Sequence, residues 1–568
     1  MLSRWLFLFS FVAIAAAAPA GQPDSFPPEV QRVMKNFSKA ALRAHMAFLA
    51  DDLLEGRGTG SRGQEIAARY LAAQFEALGL EPGGDDSAND RQAHGMAARS
   101  YFQWVPMREV TIDKQQTEVV IEQNGRRHAL QWAADFVAGG NVFSEQSEVA
   151  APVVFAGYGV VDRARNYDDY AGLDVKGKIV ALLPGAPSNF PSAERADRAS
   201  GIEKGRSAAR NGAVGIISLR TPVSEQMLPW SRSAIGAELP ALRWLNRDDQ
   251  PMDSFPELKA GATLSQPSAE ELFAGAPKSF AQVLDDAAHS SVKGFPLAAT
   301  AHIRVVSRHR RISSPNVIAI LRGSDSQRQN EYIVYSAHTD HLGIGRPING
   351  DSIYNGAVDD GSGCTALIEM ARAFVSLPAR PKRSIIFAAF TGEEKGLLGA
   401  GYFAHNPPVP IPNIVTGLNM DGASVFYVMK DIVALGVEHT TMEPLLERAA
   451  AAVGLKVSPD PMPEQVDFIR NDQYPLVKRG VPALSLEDGL EAADPQINGR
   501  KFAEDWIATR YHSPQDDMSQ PLNFDAMVQY MKVNFLFGFS LAQQPQRPAW
   551  KPHDFFGDLY GSASPAKP

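Results

Sequence analysis

Four short motifs between residues 335 and 421 concentrate histidine and carboxylate side chains. Their sequences are YSAHTDH, GAVDDGSG, FTGEEKG and LNMDGAS, and a distant YHS supplies a further histidine near residue 512. Imidazole nitrogens and carboxylate oxygens hold catalytic zinc in many proteins. The single cysteine, Cys364, excludes an intrachain disulfide and a cysteine-rich zinc finger. The motifs therefore predict a metal site built from His, Asp and Glu, with Cys364 as a small buried packing residue.

The first two motifs each have an ordinary explanation when taken alone. A triplet such as His338-Thr-Asp340 is often a hydrogen-bonded group, and here the Asp340 carboxylate would fix the tautomer of His338. Asp359 and Asp360 precede the start of a predicted helix, where a carboxylate caps the N-terminus. Capping explains one of these carboxylates but not both.

The remaining motifs are also ambiguous singly. Glu393 and Glu394 are adjacent after a predicted buried strand, so their side chains should point in different directions. One carboxylate could then bind metal while the other transfers protons. Two acidic residues are also favourable at the N-terminus of a helix, where they would have no catalytic role. Asp421 could lie in a simple turn. His512 has Asp516 four residues later as an orienting carboxylate. Only the ordered combination points to one site.

The elements that must carry these residues follow Ser313, where apolar strands alternate with amphipathic helices. YIVYSAH, SIIFAAF and IVTGLNM are such strands, and TALIEMARAFV is such a helix. This alternation predicts an α/β three-layer sandwich with a mixed, mostly parallel central sheet. Ligand sites in these sheets form at the carboxyl ends of the strands. His338, the two glutamates and Asp421 all lie at such ends.

Composition and the N-terminus limit the functional class. The 568 residues are 44% hydrophobic and 21% charged, and the formal net charge of −9 argues against nucleic-acid binding. Residues 1–20 predict an export signal: Arg4 precedes an apolar run that ends at a small-residue cleavage site. The run is shorter than the roughly 20 residues of a membrane-spanning helix, so no stable membrane anchor is expected. We expect a periplasmic or secreted protein.

In this order, the motifs resemble those of the co-catalytic dizinc exopeptidases, which include bacterial leucyl-type aminopeptidases and glutamate carboxypeptidase II. The resemblance covers about residues 42–542, with one interruption. It implies two Zn²⁺ ions, with His338 and Asp421 on one ion, Glu394 and His512 on the other, and Asp359 bridging both. It also implies a cis peptide bond between Asp359 and Asp360.

The same resemblance assigns roles in catalysis and substrate binding. Glu393 matches the general base that takes a proton from water activated between the two zinc ions. Tyr511 matches a phenol that helps to hold the developing oxyanion. Asp340, which the spacing predicts to orient His338, is expected to be a catalytic residue together with Glu393 and Tyr511. Arg470 lies in RNDQYP, which resembles a substrate-pocket segment that often reads Arg-Ser-Asp-His. His341 has no matching metal role and is expected at the pocket edge or the surface.

From about residue 150 the sequence pattern changes, and this segment interrupts the region that resembles the exopeptidases. VVFAGYGV, KGKIVALLPG and NGAVGIISL are short apolar strands between glycine-rich turns. They resemble a protease-associated domain, a β-rich module often inserted into exopeptidases. The predicted organisation is a signal peptide (1–20), a first peptidase segment (30–140), the protease-associated insert (141–283), a second peptidase segment with the metal site (284–545) and a C-terminal tail (546–568).

The expected function is that of an exported zinc aminopeptidase acting on peptides with a free N-terminus. The substrate's α-amine would lie near one zinc ion and an acidic pocket wall. A carboxypeptidase would instead need a basic pocket for the C-terminal carboxylate, and a glutaminyl-cyclase-like enzyme would use one zinc ion on the same fold. A receptor-like binding protein would lack ligands or the base, whereas all of them are present in this chain.

Overall fold

The structure, a computed structural model, describes residues 26–86, 99–289, 292–463 and 466–561. The predicted export signal of residues 1–20 lies outside these described residues. The helices are α1 (Pro28–Met34), α2 (Lys39–Leu49), α3 (Arg62–Ala77), α4 (Ser192–Ala199), α5 (Gly201–Arg210), α6 (Pro222–Met227), α7 (Trp230–Gly236), α8 (Gln266–Leu272), α9 (Phe280–Ala288), α10 (Gly361–Val375), α11 (Leu398–His405), α12 (Glu443–Ala451), α13 (Tyr474–Val477), α14 (Gly499–Thr509), α15 (Phe524–Gln543) and α16 (Phe555–Tyr560). None of the helices in the described ranges is both long and apolar enough to cross a bilayer.

The strands form two main sheets and two small hairpins. They are β1 (Glu81–Pro82), β2 (Phe102–Ile112), β3 (Glu118–Gln123), β4 (Arg126–Ala129), β5 (Phe136–Val137), β6 (Gln146–Phe155), β7 (Val161–Asp162), β8 (Tyr167–Asp168), β9 (Ile179–Leu182), β10 (Gly215–Leu219), β11 (Ala241–Trp244), β12 (Ala260–Leu264), β13 (Phe295–Leu321), β14 (Tyr332–His338), β15 (Gly343–Ile348), β16 (Asp351–Tyr354), β17 (Ser384–Phe390), β18 (Ile414–Asn419), β19 (Asp431–Leu435), β20 (Lys456–Ser458) and β21 (Ala483–Asp488).

The central sheet has a parallel core of four strands in the order β17, β14, β18 and β21. Antiparallel strands flank this core, with β13 beside β17 and β19 beside β21. The predicted mixed, mostly parallel sheet is therefore confirmed. Parallel strands place their carboxyl ends along one edge, so the loops after β14, β17, β18 and β21 open on the same side of the molecule.

Both faces of this sheet are covered, as the residues of β14 illustrate. Ile333, Tyr335 and Ala337 pack in a core with residues of α2, α3, α10 and α15. Tyr332 and Val334 point the other way and pack with residues of α11, α13 and α16. This alternation follows from the two-residue period of a strand, and it explains why the strand is buried along its whole length and mostly apolar. The three-layer arrangement was predicted from that pattern.

Strand β13 connects the central sheet to the second one. Residues 295–306 pair with β3 and β6, whereas residues 307–317 pair with β2 and residues 317–321 pair with β17. The second sheet runs in the order β4, β3, β13, β6, β9, β10, β12 and β5, and it encloses its own apolar core. It therefore uses strands on both sides of the predicted insert, 141–283. The assignment to a protease-associated domain stays a prediction.

One buried carboxylate joins the central domain to the part of the protein built on the second sheet, which we call the second unit. Asp197 on α4 is fully buried and accepts hydrogen bonds from the phenols of Tyr474 on α13 and Tyr560 on α16, the latter at 3.0 Å. Arg198 also donates to Asp197 at 3.1 Å. Phe556 of α16 is fully buried in the core on this face of the central sheet. The described part of the C-terminal tail thus packs between the two units and fixes their contact.

Candidate metal centre

The carboxyl ends of three parallel strands bring most of the predicted ligands together. His338 is the last residue of β14, Glu393 and Glu394 follow β17, and Asp421 follows β18. Because β14 lies between β17 and β18, these four side chains come from neighbouring strands. The placement predicted from the apolar strand pattern is therefore what the structure shows.

Asp359 lies between two groups of ligand atoms. Its Oδ1 is 3.2 Å from Nε2 of His338, which in turn is 3.5 Å from Oδ1 of Asp421. Its Oδ2 is 3.2 Å from Nε2 of His512, which is also 3.2 Å from Oε2 of Glu394. The two oxygens of one carboxylate thus face two different histidine–carboxylate pairs. All five predicted ligands converge, with Asp359 in the bridging position.

The donor set fits zinc. Two donors bound to one zinc ion at about 2.0–2.1 Å in tetrahedral geometry lie roughly 3.3 Å apart, close to the separations seen here. Nε2 of His338 and Oε1 of Glu394 are buried and have no hydrogen-bond partner among the described residues. Burial alone would lower the pKa of His338, but the Asp421 and Asp359 carboxylates raise it well above its usual value. The cluster therefore carries unsatisfied atoms and excess negative charge that cations would neutralise.

Asp360 has a structural role beside the ligand Asp359. Its carboxylate caps α10 by accepting from the Gly363 amide at 2.9 Å, and it also accepts from the amides of Gly422 at 3.0 Å and His338 at 2.9 Å. These bonds occupy both oxygens, so Asp360 is a poor candidate ligand although it lies within ligand distance of His338. The predicted cis peptide bond between Asp359 and Asp360 is present.

The role expected for Asp516 was wrong. Its carboxylate accepts hydrogen bonds from the backbone amides of Val358 and Asp359, each at 3.0 Å, rather than from the ring of His512. The side chain of Gln520 also donates to Asp516 at 2.7 Å. Asp516 therefore fixes the loop that presents the Asp359 carboxylate. A four-residue spacing could not distinguish these two partners, because the 358–359 loop is distant in sequence.

Substituting Asp516→Asn should lower the free energy of unfolding by about 1–3 kcal/mol. Both oxygens of Asp516 accept from N–H donors, so an amide group would place its own N–H₂ against one of them. Asp517→Asn is the matched control, because Asp517 is half-buried and accepts from Ser519. Calorimetric melting temperatures of the two variants measure the difference. Equal melting temperatures would contradict the role given to Asp516.

The expected contact between His338 and the Asp340 carboxylate is replaced by a backbone contact. Nδ1 of His338 lies 3.0 Å from the backbone carbonyl oxygen of Asp340, whereas the carboxylate is 3.9 Å away. The buried Asp340 carboxylate accepts instead from the hydroxyl of Thr59 at 2.6 Å and from the backbone amide of Glu393 at 3.2 Å. Asp340 is thus a positioning residue for Glu393 rather than a group that contacts substrate.

Glu393 is separated from the ligands as its sequence position predicts. Its carboxylate lies 4.0 Å from Nε2 of His338 and lines the cavity, while Glu394 turns towards His512. Burial raises the pKa of Glu393 well above its usual value; the Asp421 carboxylate adds to this, and His338 opposes it. A carboxylate in such surroundings is a stronger proton acceptor than one in water.

A cavity of about 780 Å³ opens onto the cluster. One wall is aromatic: the ring of Phe426 lies 5.0 Å from that of Phe502 and 5.4 Å from that of Trp506 on α14. The Tyr511 ring stacks on His512 at 3.8 Å, and its hydroxyl accepts from Arg470 at 3.3 Å. The predicted residues Tyr511 and Arg470 therefore both reach the cavity, next to a metal ligand.

Another wall of the cavity is acidic and was not located by the motifs. Glu487 and Asp488 end β21, which pairs with β18 so that Ser485 lies opposite Asn419. Glu487 accepts hydrogen bonds from the side chains of Ser485 at 2.6 Å and Asn471 at 3.0 Å. Burial raises the pKa of Asp488 to about 7. The acidic pair in LEDG at a strand end was the available signal.

His341 was expected at the pocket edge or the surface, and this was wrong. It is fully buried, and its Nδ1 is 2.6 Å from Oε1 of Glu394. The only signal in the sequence was a second histidine three residues after His338, in HTDH.

Cys364 is buried as predicted, and its thiol donates to the carbonyl oxygen of His338 at 3.1 Å. Burial raises the pKa of this thiol, which keeps it protonated.

Comparison with known proteins agrees with this geometry. Residues 316–537, which contain all five predicted ligands, match the model of peptidase family M28. This part of the chain is similar to peptidase family M28. The parallel strands of the central sheet, the loops that carry the predicted ligands and Asp359 all lie within the matched region.

Relatives of known name cover only parts of the sequence. A "Probable zinc metalloprotease" of Pyrenophora teres f. teres is 36% identical over 110 residues, 19% of this chain and 23% of that protein. A second one, from Leptosphaeria maculans, is 30% identical over 266 residues, 41% of this chain and 58% of that protein. The matches thus span less than two thirds of either relative. An aminopeptidase from Aneurinibacillus sp. strain AM-1 shares the fold, with a TM-score of 0.53 and 19% identity over 92% of this chain and 98% of that one.

Proposed function

We propose that the protein is an exported aminopeptidase that uses two zinc ions and the base Glu393 to remove N-terminal residues from peptides. The observation that carries the proposal is the position of Asp359, whose two oxygens face separate histidine–carboxylate pairs while Glu393 lines the adjoining cavity. The similarity of parts of the chain to zinc metalloproteases, and its fold in common with an aminopeptidase, support the class. Export rests on the sequence of residues 1–20.

The chemistry divides between the metal centre and the side chains around it. Two zinc ions held by the five ligands would supply Lewis-acid polarisation of the scissile carbonyl and of a water molecule. Glu393 takes a proton from the attacking water and passes it to the leaving amine. Asp340 fixes the backbone of Glu393 during this transfer. Burial and the Asp359 carboxylate raise the pKa of the Tyr511 phenol, so it remains a hydrogen-bond donor to the negative charge that develops on the carbonyl oxygen.

The acidic wall favours a substrate with a free amine. Asp488 and Glu487 both line the cavity, and burial raises the pKa of each. An ammonium group in the cavity would stabilise the charged forms of these carboxylates. Because β21 pairs with β18, this wall lies beside the strand that leads to the ligand Asp421.

Residues of both units line the cavity. Ser200 and Ile202 lie next to α4, and Tyr560 belongs to α16. The buried Asp197 of α4 accepts hydrogen bonds from Tyr474 and Tyr560, which ties these elements together. A peptide bound in the cavity would therefore contact both units.

A carboxypeptidase is the second candidate, because basic residues share the cavity. Arg470, Lys478 and Arg479 line it together with the acidic wall. A guanidinium or ammonium group could bind the C-terminal carboxylate of a substrate. The two candidates differ in which substrate terminus must be free.

Assays with blocked and free peptides distinguish the candidates. The full-length protein, purified after export, is expected to hydrolyse aminoacyl-nitroanilides and to leave N-blocked peptides with a C-terminal glutamate intact. Dialysis against a chelator should stop the reaction. Cleavage of the blocked peptides alone would favour the carboxypeptidase, and an unchanged rate after dialysis would contradict a metal mechanism.

A further inference from the structure

His341 lies in the metal cluster as deeply as the predicted ligands. Its side chain is fully buried, and its ring makes an edge contact with that of His512 at 5.8 Å. Nδ1 is 2.6 Å from Oε1 of Glu394 and 3.8 Å from Oδ2 of Asp359. These three residues form a group whose ligand atoms all lie within 4.8 Å of one another. His341 therefore faces the same point as the ligands of the second zinc ion.

A set of hydrogen bonds to Arg57 holds the backbone on either side of His341. The buried guanidinium of Arg57 donates to the carbonyl oxygens of Thr339 at 3.0 Å and Gly356 at 2.9 Å, and the Arg57 carbonyl accepts from the His341 amide at 3.0 Å. Gly356 has φ of 60°, and a Cβ there would lie 2.6 Å from the His341 ring. The backbone at Gly356 thus approaches the ring closely and leaves no room there for a side chain.

A second buried histidine shows what a purely structural imidazole looks like in this protein. His45 is buried, with Nδ1 2.8 Å from the Tyr70 hydroxyl and Nε2 3.3 Å from the Glu369 carboxylate, and both contacts have hydrogen-bond geometry. His341 has no hydrogen-bond partner at either nitrogen among the described residues. Its Nδ1 and Oε1 of Glu394 are 2.6 Å apart, and neither atom has a hydrogen-bond partner among the described residues. A cation beside these two buried atoms would satisfy both of them.

We propose that His341 is a ligand of the second zinc ion, alongside Asp359, Glu394 and His512. The ion would then have two imidazole nitrogens, whereas the first ion would have only that of His338. The second position would have four protein ligands and the first only three, so the second should hold zinc more tightly than the first. This inference rests on the proposed two-zinc centre, but its test measures metal binding and does not require turnover.

Two substitutions separate ligation from hydrogen bonding. His341→Asn places an amide N–H₂ at the position of Nδ1 and keeps a donor towards Glu394, whereas His341→Leu removes both functions. His45→Asn is the control, a buried histidine outside the cluster. Zinc content after dialysis, zinc affinity against a competing chelator, and X-ray absorption at the zinc edge are measured on each purified full-length protein, with circular dichroism to verify folding.

Both His341 variants are expected to bind the second zinc ion at least about 100-fold more weakly. A residue that only orients a ligand changes metal affinity by about 10- to 100-fold, so a loss of this size favours direct ligation. The absorption spectra should fit three imidazoles shared by two ions in the unmodified protein and two in each variant held at saturating zinc. His45→Asn should keep the unmodified zinc affinity and spectrum. Unchanged affinity in His341→Asn, or only two imidazoles in the unmodified protein, would overturn the proposal. Two tightly bound ions without peptidase activity would contradict the proposed function and leave this inference standing.

Discussion

Replacing Glu393 by Gln is expected to lower kcat by about 10²–10⁴-fold while the metal content stays the same. Gln has nearly the same shape as Glu but cannot accept the proton of the attacking water. Glu393 lines the cavity, and its carboxylate is 4.0 Å from Nε2 of His338, so it is near the metal ligands without belonging to either histidine–carboxylate pair. Steady-state kinetics and metal analysis on the same preparation provide the measurement.

The neighbouring residue supplies the control for Glu393. Glu394→Gln changes a carboxylate of the same size that lies 3.2 Å from Nε2 of His512, so this variant should lose zinc as well as activity. The pair separates the loss of a base from the loss of a ligand. A Glu393→Gln enzyme with more than about a tenth of the original kcat would contradict the assignment of the base, given the usual size of the effect. Loss of zinc from that variant would contradict the separation of roles.

The parallel sheet and most of the site could be predicted because they depend on local patterns. Tyr332 to His338 is mostly apolar before its final histidine, which marks both a strand buried on two faces and the point where that strand ends. The same holds for the strands that precede Glu393 and Asp421. Strand ends in a parallel sheet meet along one edge, so sequence order was enough to bring these side chains together.

Contacts between distant segments could not be predicted in this way. The position of His341 depends on Arg57, which lies 284 residues earlier and reaches the site only after the chain has folded. The partner of Asp516 is likewise a backbone loop 157 residues away. The second sheet extends beyond the predicted insert because β13 is one continuous strand that serves both sheets. No local change in the sequence pattern marks the point where β13 passes from the second sheet to the central sheet.

Removal of the metal ions is expected to abolish peptidase activity and to lower the melting temperature. Without cations, Asp359, Glu394 and Asp421 would keep negative charges close together in a buried site, and Nε2 of His338 would stay without a hydrogen-bond partner among the described residues. Ligand binding stabilises the folded state by about 2.7 kcal/mol when the free ion is at 100 times its Kd. Calorimetry of the chelator-treated and zinc-restored protein measures this difference.

The identity of the added ion and a ligand variant make the metal experiment specific. Zinc should restore both activity and melting temperature, whereas Mg²⁺ should restore neither, because it prefers oxygen ligands in octahedral geometry and this cluster contains imidazoles. His338→Ala removes a ligand of the first ion only, so its melting temperature should still respond to zinc, but by less than that of the unmodified protein. A chelator-treated protein with unchanged melting temperature and rate would show that the buried carboxylates are neutralised by protons rather than by metal, and the cluster would then be structural.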